Sequence, residues 1–173
     1  MASMKRPRLS AVEALPDYRL KMTFINGETM TVDKREAIFA KPGLAPLRDA
    51  TAFAKARIVP GEGWTVEWAD FDIQIGADTL WLEARQQSAI DEDTRTFLAW
   101  RVRHGLSLAD AARALGMTSR TMSSYGTGTR PVPHYIALAC KGWEVELRPN
   151  AKTLAAIKSA KVGKVTDNTL EDL

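Results

Sequence analysis

Residues 105–133 read GLSLADAARALGMTSRTMSSYGTGTRPVP, and the spacing of small and apolar side chains in this stretch decides the fold of the C-terminal half. Ser107 stands where it can cap a helix, and Asp110 follows three residues on, close to a capping box. Ala111, Ala112 and Leu115 then form the inner face of a short helix. Ala112 has to be small if a second helix crosses closely over it. Gly116 falls where the chain reverses, and glycine adopts the left-handed backbone of such a corner at little cost. Met117 plugs the corner, Thr118 caps the next helix, and Met122 and Tyr125 supply that helix's inward face. The stretch therefore predicts two short amphipathic helices joined by a tight turn.

Working outward, DEDTRTFLAWRVRHG places Phe97, Leu98, Arg101 and Val102 at helical spacing and ends at Gly105. Downstream, GTRPVP leads into the apolar helical run HYIALAC. WEVEL is the one segment of this half with a strand-like pattern, and the tail from Ala151 is expected to start as a short helix and to be frayed or disordered at its end.

From about Thr94 to Gly142 the chain resembles the Cro/lambda-repressor-like (XRE) helix-turn-helix domains of bacteria and their phages. The resemblance is carried by LSLADAARALGMTSRTMSSYGTGTRPVP. It implies an all-α bundle whose second helix enters the DNA major groove by its N-terminal end. On that reading Thr118, Ser119, Arg120, Ser123 and Ser124 are the base-contacting candidates. Arg120, the one long cation among them, is suited to a bidentate contact with guanine. Arg101, Arg103, Thr127 and Arg130 are the candidates for phosphate contact; for these arginines, and for Arg113, structural ion pairing is the alternative. The sequence departs from the family at Gly126, where glutamate is common, and the glycine-rich YGTGT predicts a second helix that is short or loosely terminated.

The N-terminal half has a different pattern. YRLKMTFI alternates Leu20, Met22 and Phe24 against Arg19, Lys21 and Thr23, ETMTVD continues the alternation, and Asn26-Gly27 lies between them. Asn-Gly there predicts a hairpin with a type I′ turn. KREAIFA and ATAFAKA read as helical turns around the irregular KPGLAPL. RIVPGEGWTVEWADFDIQIG reads as strands broken at PGEG, with Trp64, Val66 and Trp68 on one face. Trp64, Trp68 and Trp81 are expected in the core, and ADTLWLEARQQS as a closing helix or linker. From about Arg8 to Leu82 this half resembles a small uncharacterised bacterial α+β domain. That domain is found alone or before a helix-turn-helix, and is often encoded beside a second small protein in operons like those of toxin–antitoxin pairs. The resemblance implies a fold and a genomic setting.

Charge follows the same division. Residues 1–85 hold twelve basic and twelve acidic side chains. Residues 96–143 hold Arg101, Arg103, Arg113, Arg120, Arg130 and Lys141 against Asp110 alone, an anion-binding balance. One cysteine, Cys140, excludes an internal disulfide framework and a cysteine-rich zinc site, and its apolar setting predicts a buried thiol. The two histidines, His104 and His134, sit at helix ends without a nucleophile or acid in recognisable context, and no phosphate-binding glycine loop follows a strand. Asp70 and Asp72, two apart on an expected strand, read as a solvated face rather than a metal site. No enzyme activity, metal or cofactor is expected. No membrane span is expected, and the basic N-terminus lacks the apolar run of a secretory signal, so a cytoplasmic location follows.

The sequence thus predicts an α+β domain over 1–87, a lambda-repressor-like helix-turn-helix domain over 88–150 and a tail over 151–173. The expected function is that of a dimeric transcriptional regulator on double-stranded DNA. The alternative is an interaction module, such as an antitoxin that neutralises a small partner protein.

Overall fold

The computed structural model describes residues 6–147, and the expected tail lies outside them. The chain divides into two compact units, one up to Gly105 and one from Leu106. This division runs through the expected 88–150 domain.

Alternation of apolar and polar residues builds the first sheet. Strands β1 (Leu9–Leu15), β2 (Arg19–Phe24) and β3 (Thr29–Asp33) form an antiparallel meander in the order β1-β2-β3. Leu20, Met22 and Phe24 are buried, and Arg19 and Lys21 face out, as a period of two requires. Leu20 stands opposite Val32 and Met22 opposite Met30. The turn between β2 and β3 differs from expectation. Gly27 has positive φ (+84°) and Asn26 does not. The Gly27 N–H donates to Phe24 O at 2.9 Å, the Phe24 N–H donates to Glu28 O at 2.8 Å, and the Asn26 carboxamide accepts from the Glu28 N–H at 3.1 Å. This is the three-residue loop that ends in a left-handed glycine, not a type I′ turn.

Short helices α1 (Arg35–Ala40) and α2 (Ala50–Phe53) flank a 3₁₀ segment at Pro42–Arg48. The second sheet has the order β4-β5-β6, with β4 at Arg57–Ile58, β5 at Thr65–Trp68 and β6 at Ile73–Gly76. Trp68 is buried and its indole N–H donates to Phe53 O at 2.8 Å. Trp64, expected in the core, is 45% exposed with the Arg8 guanidinium 5.2 Å from its ring centroid. The β5 face is filled by Val66 and Trp68, and Trp64 precedes the strand. Trp81 is partly buried against the core. Asp70 and Asp72 lie on a 3₁₀ turn and its left-handed end rather than on a strand, and Asp70 pairs with Lys55 at 2.6 Å. Gly63 tucks under β1: its carbonyl accepts from the Leu9 N–H at 2.7 Å, and a Cβ there would lie 2.3 Å from Leu9 O.

Helix α3 (Ala77–Ser88) buries Ala77, Leu80 and Ala84. Glu83, also buried, accepts a hydrogen bond from the buried Lys34 ammonium, a buried ion pair. Gln87 bonds both ways to the backbone of Asp33, at 2.7 and 2.8 Å, and ties α3 to the end of β3. Helix α4 (Glu92–His104) packs on α3 and belongs to the first unit. Asp91 caps its start, accepting from the Thr94 N–H at 2.7 Å, and Gly105 ends it at φ +59°.

The second unit holds α5 (Leu108–Ala114), α6 (Ser119–Gly126) and α7, the helical residues 134–147. WEVEL, with its strand-like pattern, is the end of α7. That helix starts after Pro133 and buries Ile136, Ala137 and Cys140 at helical spacing, which carries the segment along.

Candidate functional site

The α5–α6 pair is built by its caps. The Ser107 hydroxyl accepts from the Asp110 N–H at 3.1 Å, one half of a capping box, and donates to the Asp110 carboxylate at 2.6 Å in place of the reciprocal bond from the Ser107 N–H. Arg113 completes it as an ion pair with Asp110, the alternative expected for that arginine. The Ser107 hydroxyl, and then Arg113, hold the Asp110 carboxyl below its usual range.

Ala111 and Ala112 are buried and α5 and α6 pack together. At the corner the Met117 N–H donates to Ala112 O at 2.8 Å and the Gly116 N–H to Arg113 O at 3.3 Å, with Gly116 at φ +64°. Nothing lies within 4 Å of a Cβ built on Gly116, so its backbone conformation, not space, demands glycine. Thr118 caps α6: its hydroxyl accepts from the Thr121 N–H at 3.3 Å and lies 3.0 Å from the Thr121 hydroxyl.

Met122 and Tyr125 face inward as expected, and Gly126 is buried with them. The loose end expected from YGTGT does not occur. The Thr127 N–H and hydroxyl both bond to Ser123 O, at 2.9 and 2.8 Å, and the Gly128 N–H donates to Tyr125 O at 3.2 Å. The Arg130 N–H then donates to Ser124 O at 3.0 Å. Glycine at 126 is a small buried residue, and the helix terminates in these bonds. Tyr125 makes a side-chain hydrogen bond with Tyr135 which, with burial, raises its phenol above the usual value. Tyr135 had no signal in the sequence beyond its place in an apolar run.

The outward side chains separate into two groups. Ser119 and Arg120 are exposed at the first turn of α6, where no acidic residue lies, and Ser123 is half-buried on the same helix. Thr118, Ser124 and Thr127 use their hydroxyls within the fold; Ser124 donates to Thr121 O at 2.7 Å and Thr127 lies 2.9 Å from the Thr129 hydroxyl. Arg130 is exposed beyond the helix end, and Arg103 is exposed on α4 in the first unit. Arg101, expected as a phosphate contact, is 7% exposed, with its guanidinium 6.0 Å from the Phe97 ring centroid. Burial lowers its pKa to about 10.

The arrangement is an α+β unit followed by a helical unit that presents a polar, cationic helix start. A family model described as a protein of unknown function (DUF2442) matches residues 9–86. A crystal structure of a candidate DNA-binding protein from Nitrosomonas europaea is 40% identical, covering 83% of this chain and 90% of that one, with a TM-score of 0.53. The chain belongs to the family of that Nitrosomonas protein. No curated protein matches the chain. Among the described residues no group of His, Cys, Asp and Glu side chains could hold a metal ion, and no helix is long and apolar enough to cross a membrane.

Proposed function

We propose that the protein is a DNA-binding transcriptional regulator of the lambda-repressor-like helix-turn-helix class. In this reading α5 and α6 are the helix-turn-helix, and the start of α6 enters the major groove. The observation that carries it is the exposed Ser119–Arg120 pair at the first turn of an eight-residue helix that is capped by Thr118 and free of acidic residues in that turn. Amide groups at a helix start favour phosphate, and a guanidinium beside them suits a guanine edge. The Nitrosomonas relative's DNA-binding name supports the reading. Arg120 and Ser119 read bases, with Ser123 beside them; Arg130 contacts phosphate. The role is binding without catalysis, in the cytoplasm. One such helix covers one half-site, so two copies act together.

The test is fluorescence anisotropy of the full chain on the DNA upstream of its own gene, with scrambled DNA as control, over a salt series. Selective binding that weakens steeply with salt is expected, because phosphate contacts release counterions. Equal weak binding to both DNAs, or none, would overturn the reading. Sedimentation at micromolar concentration tests the pairing, and a monomer both alone and on a two-half-site DNA would remove it.

A further inference from the structure

The first unit carries an open cavity of about 450 Å³ between the β1–β2 turn and α2. Its volume is within the range of small-molecule sites. Leu15, Tyr18, Phe53 and Ala54 supply apolar walls, and two charged residues, Asp17 and Arg35, join them in the lining. The turn is backbone that few residues adopt: Asp17 has φ +61° and Tyr18 φ +59°, neither a glycine. It is held from several sides. The Tyr18 hydroxyl donates to Arg48 O at 2.6 Å, its ring meets Phe39 and Phe53 edge-on at 5.6 Å each, and its carbonyl accepts from the Lys34 N–H at 2.9 Å. The Asp17 carboxylate lies 4.0 Å from the Arg35 guanidinium, an exposed ion pair too long for a direct hydrogen bond. Arg35 in turn lies 5.8 Å from the Tyr18 ring centroid.

A cation and an anion side by side on an apolar wall discriminate by charge pattern. A simple anion drawn to Arg35 meets Asp17, and a simple cation drawn to Asp17 meets Arg35. A molecule with a carboxylate and an ammonium on one carbon satisfies both, and its side chain lies on the apolar surface. We propose that this cavity binds a free apolar α-amino acid, its carboxylate on Arg35, its ammonium on Asp17 and its side chain against Tyr18, Phe53 and Ala54. The site lies wholly in the first unit, and the inference is independent of the DNA-binding reading.

The test is a titration of the ¹⁵N-labelled full chain with L-leucine, L-methionine and L-phenylalanine, and with 4-methylpentanoate and 3-methylbutylamine as single-charge controls. Saturable amide shifts at Leu15, Asp17, Tyr18, Arg35 and Ala54 are expected with at least one of the three amino acids and with neither control. Arg35→Ala and Asp17→Asn should each weaken binding about tenfold or more, the scale of a lost charged hydrogen bond. Asparagine tolerates the left-handed turn, so the second variant keeps the backbone. Ala54→Leu, which fills the wall without touching the charges, should also weaken it. No saturable shift with any of the three, equal shifts with the carboxylate control, or binding unchanged in Arg35→Ala would each overturn the proposal.

Discussion

Arg120→Ala isolates the proposed reading of bases from the stability of the helix that carries it. Arg120 is exposed and no ion pair engages it among the described residues. The Thr118 cap, the Met122 and Tyr125 packing and the bonds at Thr127 do not involve its side chain. Alanine is at least as good a helix former. The variant should therefore unfold within about 0.5 kcal/mol of the parent, as surface changes do. On DNA the expectation is different. A bidentate contact to guanine contributes about 1–3 kcal/mol of discrimination, or roughly a 5–150-fold loss in affinity for the upstream site. Scrambled DNA should lose much less, so the ratio between the two DNAs falls. Arg130→Ala is the matched comparison, since a phosphate contact weakens both DNAs alike and lowers the log–log salt slope by about 0.9. Anisotropy across salt, on both DNAs, measures all four quantities. If Arg120→Ala weakens upstream and scrambled DNA equally, or neither, Arg120 is not the base reader and the docking of α6 is wrong.

Four further outcomes bear on the fold. Ala112→Leu should cost about 1–3 kcal/mol by overpacking, because Ala112 is 2% exposed where α5 and α6 pack together; urea denaturation measures it, and a neutral result would mean that the pair is loosely packed. Gly63→Ala should destabilise by about 1–3 kcal/mol, since its φ is +71° and the new Cβ would lie 2.3 Å from Leu9 O; an unchanged melting temperature would contradict that close approach. Lys34→Met alone should cost about 3–5 kcal/mol by leaving the Glu83 charge buried, whereas Lys34→Met with Glu83→Leu should be near neutral; equal losses in the two would show that the pair contributes net stability. The Asp110 carboxyl titrates below its unfolded value through Ser107 and Arg113, so its contribution is present above about pH 3.9 and fades as pH falls through the folded value. Asp110→Asn should flatten that part of an acid unfolding curve, and an unaltered curve would assign the acid dependence elsewhere.

What could be read in advance divides by the type of signal. Helix boundaries were legible where one residue type has one local job: Gly105 and Gly116 in left-handed backbone, Ser107 and Thr118 as caps. Alternation gave β2 and β3 but not β1, because in LSAVEAL only Leu9 is fully buried and the register slips between Leu9 and Ala11. The Asp17–Tyr18 turn carried no signal, since its conformation is imposed by the Tyr18 ring contacts and by Arg48, thirty residues away. The burial of Arg101 carried no signal either, because helical spacing places a side chain on a face without saying whether that face meets solvent.

The same distinction sharpens the candidate site. A row of serines and threonines looks like a reading surface in sequence, yet Thr118, Ser124 and Thr127 commit their hydroxyls to the start, body and end of α6. Ser119, Arg120 and Ser123 make no such side-chain bond among the described residues. Under the proposed function, a helix with one long side chain for base edges gives each half-site little discrimination, at about 1–3 kcal/mol for its best contact. Useful selectivity on DNA then has to come from joining half-sites, so the spacing between paired copies should matter as much to affinity as the bases under any one helix.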